Sequence, residues 1–175
     1  MKDYFKDTRI GIALVLISLL FGIGLGIGFG VAEDSFKDYI AEGIAAHQNL
    51  HDAKSPSKIW RYGQRAHFHA TGIAAFSIGL VVLVMLSNMK TTFKKAASTL
   101  IGLSGLYPQA WFVMFLLAPS IGRDAAHHHW LTEILIYTGN GGLLLGIAIL
   151  AIHLGTNAFS SSGQPLPGSE PVLNS

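Results

Sequence analysis

The sequence contains no cysteine among its 175 residues. Without a thiol the chain cannot form a disulfide, hold an iron–sulfur cluster, ligate haem through sulfur or attach a c-type haem. Charge is also scarce, since only 13% of residues are charged, whereas about 25% is typical of soluble domains. Basic runs interleaved with aromatic residues are missing too, so we expect no nucleic-acid partner. Any metal or cofactor must be held by His, carboxylate, Tyr or Met.

Long apolar runs take the place of the missing charge. Half of the residues are hydrophobic, and a membrane span needs roughly 20 consecutive apolar residues. Four runs meet this requirement, at residues 10–32, 66–89, 96–118 and 131–155. We therefore predict an all-α integral membrane four-helix bundle comprising residues 1–159. Residues 160–175, rich in Ser, Pro and Gly, are predicted to be a disordered tail.

The segment between the first two runs has a helical pattern of its own. Apolar residues recur at roughly helical spacing between Ser35 and Leu50, which predicts a short interfacial helix between spans one and two. The sequence Ser-Pro-Ser at 55–57 then interrupts the chain before Trp60 enters the second span. This segment should lie on the side of the membrane opposite the two ends of the chain.

Basic residues give a weak indication of orientation. Six Lys and Arg residues fall on each side of the four predicted spans. Lys90, Lys94 and Lys95 share one very short loop, and charges in short loops weigh most in the positive-inside rule. We therefore expect this loop and the N-terminus to be cytoplasmic, and the bacterial inner membrane to be the location.

Seven of the eight histidines fall at one end of the predicted bundle. Chance placement would spread them over both ends, and ionisable groups within a membrane are costly. Imidazole is also the commonest metal ligand among side chains, so the cluster predicts a metal or cofactor site. The seven are His47 and His51 in the interfacial helix, His67 and His69 within about the first turn of the second span, and His127, His128 and His129 at the mouth of the fourth. Only His153 lies at the other end.

The spacing of the histidines limits what each can do. His47 and His51 are four apart, so on a helix they would face one way and could bind one ion. His67 and His69 are two apart, about 200° around a helix, and cannot ligate the same ion. Tyr137, Glu133 and His129 also succeed one another at intervals of four, which predicts one face lining a polar pocket.

The first span contains alternating glycines. They form two small-xxx-small sets on nearly opposite faces of the helix, which predicts close helix packing. Close approach to a flat cofactor is the functional alternative. The sets are Gly22, Gly26 and Gly30 on one face, and Gly24 and Gly28 on the other.

Residues 60–83, WRYGQRAHFHATGIAAFSIGLVVL, resemble the entry to the second span in the styrene-oxide isomerase family of small membrane haem proteins. The four-span layout, the Gly-rich first span and the sequence Arg65, Ala66, His67 carry this resemblance. A third span that ends in Ala118, Pro119 and Gly122 is also similar, and together these features cover roughly residues 10–155. The resemblance implies a homotrimer that holds haem b with His67 as axial iron ligand. It further implies that ferric haem acts as a Lewis acid, opening an epoxide to an aldehyde.

Two features of the family differ in this chain. Family members place an Asn about two turns deeper on the second helix and a Tyr on the third. Here the corresponding stretches read Ile73, Ala74, Ala75 and Trp111, Phe112, Val113.

Other residues are compatible with haem at His67. Arg61 and Arg65 lie one turn apart beside the second span, where they could meet the haem propionates. His129 or another member of its triplet, or His69 of a neighbouring subunit, could supply a second axial ligand. The expected apolar wall consists of Phe68, Phe76, Trp111, Phe112 and Phe115.

Three functional hypotheses follow. The first is a membrane haem b protein that acts as an isomerase on a small hydrophobic, epoxide-like substrate. The second is a bis-histidine cytochrome b subunit that transfers electrons within a membrane complex. The third is a zinc or copper binding or transport protein that uses His47, His51 and the triplet at 127–129.

Overall fold

The computed structural model describes residues 5–161, and the predicted tail from residue 162 onward lies outside this range. The described residues form α-helices joined by short turns, without a strand. The helices are α1 (Arg9–Ala46), α2 (Ser55–Leu86), α3 (Thr91–Gly102), α4 (Leu106–Ile121), α5 (Arg123–His127) and α6 (Trp130–Thr156). The 3-10 turn Leu103–Gly105 joins α3 to α4. Four stretches are long and apolar enough to cross a membrane: α1, α2, α3 with α4, and α6. The prediction of an all-α protein with four candidate spans is confirmed.

The predicted interfacial helix is not separate from the first span. α1 continues to Ala46, and only Ala32 has non-helical backbone angles (φ −132°, ψ 33°). The helix kinks there, where the charge-free run ends and the charged residue Glu33 follows. Residues 33–46 therefore form the second limb of α1, and a 3-10 turn at Gln48–Leu50 follows it.

α2 begins 11 residues before the predicted start at Ala66. Pro56 lies in its first turn, where a missing N–H costs nothing. Asp52 supports this start, because its Oδ1 accepts hydrogen bonds from the Ser55 hydroxyl at 2.9 Å and the Lys54 N–H at 3.0 Å. The sequence pattern concealed this part of the helix because it contains three basic residues.

The third span occupies the centre of the bundle. α3 and α4 both contact α1, α2 and α6. Glycines allow these close approaches: a Cβ on Gly139 of α6 would lie 2.6 Å from the Tyr107 backbone nitrogen, and one on Gly22 of α1 would lie 2.8 Å from the Ala70 Cβ. The predicted role of the glycines of the first span in helix packing is confirmed at Gly22. Gly24, by contrast, has no atom within 4 Å of its would-be Cβ.

Contacts at the two ends establish the up-and-down order. At one end the Thr91 hydroxyl donates to Asp7 at 3.0 Å, and the rings of Phe93 and Phe159 stack at 4.2 Å. The Ser161 N–H also donates to the Asn88 carbonyl at 3.0 Å, so ordered contacts pass the predicted boundary at 159 by two residues.

The opposite end carries the long connection between α1 and α2. The Tyr39 hydroxyl donates to the Leu116 carbonyl at 2.5 Å, and Arg123 pairs with Asp52 at 3.1 Å. The two ends of the described chain therefore lie together, away from this connection.

Candidate functional site

His67 is hydrogen-bonded to the backbone of α1. Its Nδ1 lies 2.8 Å from the carbonyl oxygen of Gly22. A carbonyl oxygen can only accept a hydrogen bond. The proton is therefore assigned to Nδ1, which leaves the lone pair of Nε2 free. The backbone of the first span thus selects the tautomer whose Nε2 can ligate iron.

Gly26 provides the space that the His67 ring occupies. A Cβ at residue 26 would lie 2.6 Å from the imidazole Cε1 and 3.0 Å from Nδ1. No real side chain tolerates such a separation. The ring therefore packs against bare backbone one turn beyond its hydrogen-bond acceptor.

A surface pocket of about 280 Å³ lies beside His67, between α1 and α2. Aromatic rings and glycine backbone form most of its wall, and Phe68, which is 64% exposed, forms its outer side. The lining residues are Gly26, Phe29, Gly30, Glu33, Trp60, Gln64, His67 and Phe68. Sequence reasoning missed Trp60 and Gln64, although their positions seven and three residues before His67 place them on its helical face.

His67 lies deeper than the sequence predicted. It follows Ser55, the first residue of α2, by twelve positions, or about 18 Å at 1.5 Å per residue. Its partner Gly22 precedes Ala32, the end of the charge-free run of α1, by ten positions, or about 15 Å. α2 begins at Ser55, so His67 and His69 lie more than three turns into this helix and not within about its first turn.

His69 lies on another face of α2, against α4. Its ring centre is 5.3 Å from that of Tyr107 and 5.9 Å from that of Trp111. Arg65, one turn earlier, places its guanidinium carbon 4.6 Å from the centre of the Trp111 ring. Arg65 and His69 therefore do not line the pocket beside His67, and neither does the exposed Arg61.

The three residues of the predicted line, His129, Glu133 and Tyr137, do not share one environment. His129 precedes α6 and caps it, since its Nδ1 accepts the Leu131 N–H at 3.3 Å. Glu133 instead lies 3.3 Å from Nδ1 of His128, and Tyr137 is 71% exposed. The helix begins one residue after His129, so the expected spacing of one helical turn does not apply to it.

His47 and His51 are also separated by the end of a helix. α1 ends at Ala46, and the two rings contact different carbonyl groups: that of Gly43 for His47 and that of Pro119 for His51, each at 3.0 Å. Within residues 5–161, no three His, Asp or Glu side chains are grouped to hold a metal ion.

Most of the predicted apolar wall lies elsewhere. Phe68 lines the pocket, but the rings of Phe112 and Phe115 stack on each other at 5.9 Å and Phe115 is buried in the core. A second, almost wholly apolar pocket of about 330 Å³ lies at the kink of α1. Its lining residues are Ala32, Ser35, Phe36, Tyr39, Phe115 and Leu116. Phe29 lines the first pocket and Phe36 lines the second, and the centres of their rings are 5.0 Å apart.

Comparison with known proteins gives no relative. No protein-family model matches the chain, and no curated protein or solved structure matches it significantly. The resemblance to the styrene-oxide isomerase family stays a prediction.

Proposed function

We propose that the protein is a membrane haem b protein in which Nε2 of His67 is the axial ligand. The hydrogen bond from Nδ1 to the Gly22 carbonyl carries this proposal. Histidines that bind metals characteristically donate their other ring N–H to a carbonyl or carboxylate, which fixes the ring and the tautomer. His67 has this arrangement beside a pocket.

The residues around His67 fit a flat apolar ring. Gly26 and Gly30 leave one wall without side chains, the rings of Phe29, Trp60 and Phe68 supply apolar surface, and Glu33 and Gln64 add polar groups. Haem needs only one or two protein ligands, so the scattered positions of the other histidines are compatible with it.

The positions of His69 and His129 favour iron with an open coordination position. His69 packs against α4 and His129 caps α6, so neither lines the pocket of the same chain. Ferric haem with an open position supplies a Lewis acid that can polarise an epoxide oxygen. The apolar pocket at the kink is of the size that suits a small hydrophobic substrate. We therefore favour an isomerase of the epoxide-to-aldehyde type, assembled as a trimer, over a bis-histidine electron-transfer subunit.

The same proposal includes a location. We infer an integral protein of the bacterial inner membrane with a cytoplasmic N-terminus, and we infer that the second limb of α1 lies at the membrane boundary. Its exposed ion pair between Glu33 and Lys37, at 2.6 Å, suits contact with water and headgroups.

An absorption spectrum of the purified protein tests the haem proposal. We expect a Soret band that disappears in His67→Ala and persists in His69→Ala, since only the first residue faces the pocket. Pyridine haemochrome analysis would identify haem b. A protein without a Soret band after expression with ample haem, or one whose band persists in His67→Ala, would contradict the assignment.

A further inference from the structure

A cationic stripe follows α2 on a face away from His67. Lys58, Arg61 and Arg65 are spaced by three and four residues, which places them along one side of the helix. Arg61 and Arg65 are exposed. Across residues 5–161, the ion pairs that form use other cations, so these two arginines have no acidic side chain within bonding distance.

Trp111 holds the inner end of this stripe in place. The Arg65 guanidinium lies over the Trp111 indole, 4.6 Å from the ring centre. The Tyr62 ring packs beside the same indole, with 5.7 Å between the two ring centres. A guanidinium over an aromatic face is stabilised by the ring and keeps its N–H edge available to oxygen acceptors. Arg65 is thus positioned without using its capacity for hydrogen bonding to an anion.

The depth of this pair makes a counter-anion necessary. Trp111 precedes Ala118, the end of the third apolar run, by seven residues. It therefore lies about 10 Å inside the apolar region. A cation within the apolar region is costly unless it is paired. Neither α2 nor α4, the helices that form this face, contains an Asp or Glu. The anion must come from outside this pair of helices.

Deeper along the same stripe the surface becomes apolar. His69 lies one turn after Arg65 on the same side of α2. Gly72 follows it by three residues and Phe76 follows Gly72 by four, and Phe76 is 46% exposed. A Cβ on Gly72 would meet no atom within 4 Å, so the surface is open there. The order along the helix, cations first and then exposed apolar surface, matches a headgroup followed by acyl chains.

We propose that Arg61 and Arg65 bind the phosphate of an anionic phospholipid whose chains lie along α2. Guanidinium groups form paired hydrogen bonds with phosphate oxygens, and basic pockets between membrane helices hold anionic headgroups. A lipid phosphate is held in the membrane by its own acyl chains, whereas a dissolved anion would have to leave water to reach this depth. This site is independent of the pocket at His67.

Quenching of Trp111 fluorescence by brominated lipids tests the proposal. In Trp60→Phe/Trp130→Phe protein, Trp111 is the sole tryptophan. Reconstituted into vesicles, it should be quenched by dibrominated phosphatidylglycerol at roughly a tenfold lower mole fraction than by dibrominated phosphatidylcholine, the ratio that corresponds to about 1.4 kcal/mol. Arg61→Gln/Arg65→Gln should reduce this ratio to about one. Arg65→Lys, which keeps the charge but loses the paired geometry, should retain part of the preference.

Lys37→Gln is the matched control, because it removes one exposed cation at the same end of the bundle. It should keep the full preference. An equal response to both lipids, or an unchanged ratio in the double arginine variant, overturns the proposal. Quenching by neither lipid would show that a second copy covers this face, and loss of the preference on adding inorganic phosphate would assign the site to a free anion. A double arginine variant that keeps the lipid preference but loses its Soret band would assign the arginines to the cofactor.

Discussion

Nδ1 of His67 donates to the carbonyl of Gly22 from a distance of 2.8 Å, across the interface of α1 and α2. The acceptor is a backbone atom, so no substitution of the Gly22 side chain removes it. The neighbouring Gly26 determines whether the ring can reach it. Substitutions in α1 should therefore change the behaviour of His67, a residue of α2.

Gly26→Ala should weaken cofactor binding. The new methyl group would lie 2.6 Å from Cε1 of His67 and displace the ring from its hydrogen bond. Loss of such a supporting contact typically costs about 10- to 100-fold in affinity at a metal site. Haem titration of the apoprotein, followed at the Soret band, measures this effect. Gly24→Ala is the matched control, since its Cβ would meet nothing within 4 Å; equal affinity in the two variants would show that Gly26 does not support the ligand.

Ferric protein should bind cyanide or imidazole added from solution. Within the chain, His69 and His129 are engaged on other surfaces, so no second histidine is placed to occupy the iron. The expected result is a saturable shift of the Soret band. A spectrum that resists both ligands would indicate bis-histidine coordination by a neighbouring subunit, and would favour the electron-transfer hypothesis.

Gly139→Ala should destabilise the bundle. Its Cβ would lie 2.6 Å from the Tyr107 backbone nitrogen, and backbone moves less readily than a side chain. Overpacking of this kind costs about 1–3 kcal/mol. Gly141→Ala, two residues away and without any contact within 4 Å, should be neutral or stabilising by up to about 1 kcal/mol because alanine favours helix. Thermal unfolding in detergent compares the two, and equal midpoints would refute the close contact of α6 with α4.

The link between Asp52, Ser55 and Arg123 should weaken in acid. The hydrogen bond from the Ser55 hydroxyl, with help from the charge of Arg123, holds the pKa of Asp52 below its ordinary value of 3.8. A carboxyl group with a lowered folded-state pKa stabilises the fold above its unfolded pKa and loses that contribution as the pH falls through the folded value. The difference in melting temperature between wild type and Asp52→Asn should therefore be present at neutral pH and close below about pH 3.8. A difference that persists at the lowest pH would show that the asparagine acts in another way.

The sequence predicted the helices better than their ends. Charge-free runs identified four candidate spans because the apolar composition that a membrane span requires is a strong signal in a sequence. The first three turns of α2 gave no such signal, since Lys58, Arg61 and Arg65 interrupt the apolar pattern although the backbone there is helical. The charge-free run ends at Ala32, where α1 kinks, but the sequence was interpreted there as two separate helices.

The candidate site was predicted in part. Counting around the helix showed that His67 and His69 must face different ways, and the structure places them on different neighbours. Which of the two faces a pocket depends on the register of α1 against α2, and that register follows from glycine contacts that one helix alone does not reveal. The positions of Arg65 and Trp111 depend on tertiary packing for the same reason.

The ring of His67 occupies the space of a missing side chain on α1, and this limits sliding between the two helices. A shift of α1 by one residue would bring Ile27 or Leu25 to the position of Gly26, and either side chain would collide with the imidazole. The His67 ring thus restricts α1 and α2 to one alignment by steric exclusion. A shorter residue at this position should allow neighbouring alignments, so that the helix pair becomes structurally heterogeneous even before any cofactor is considered.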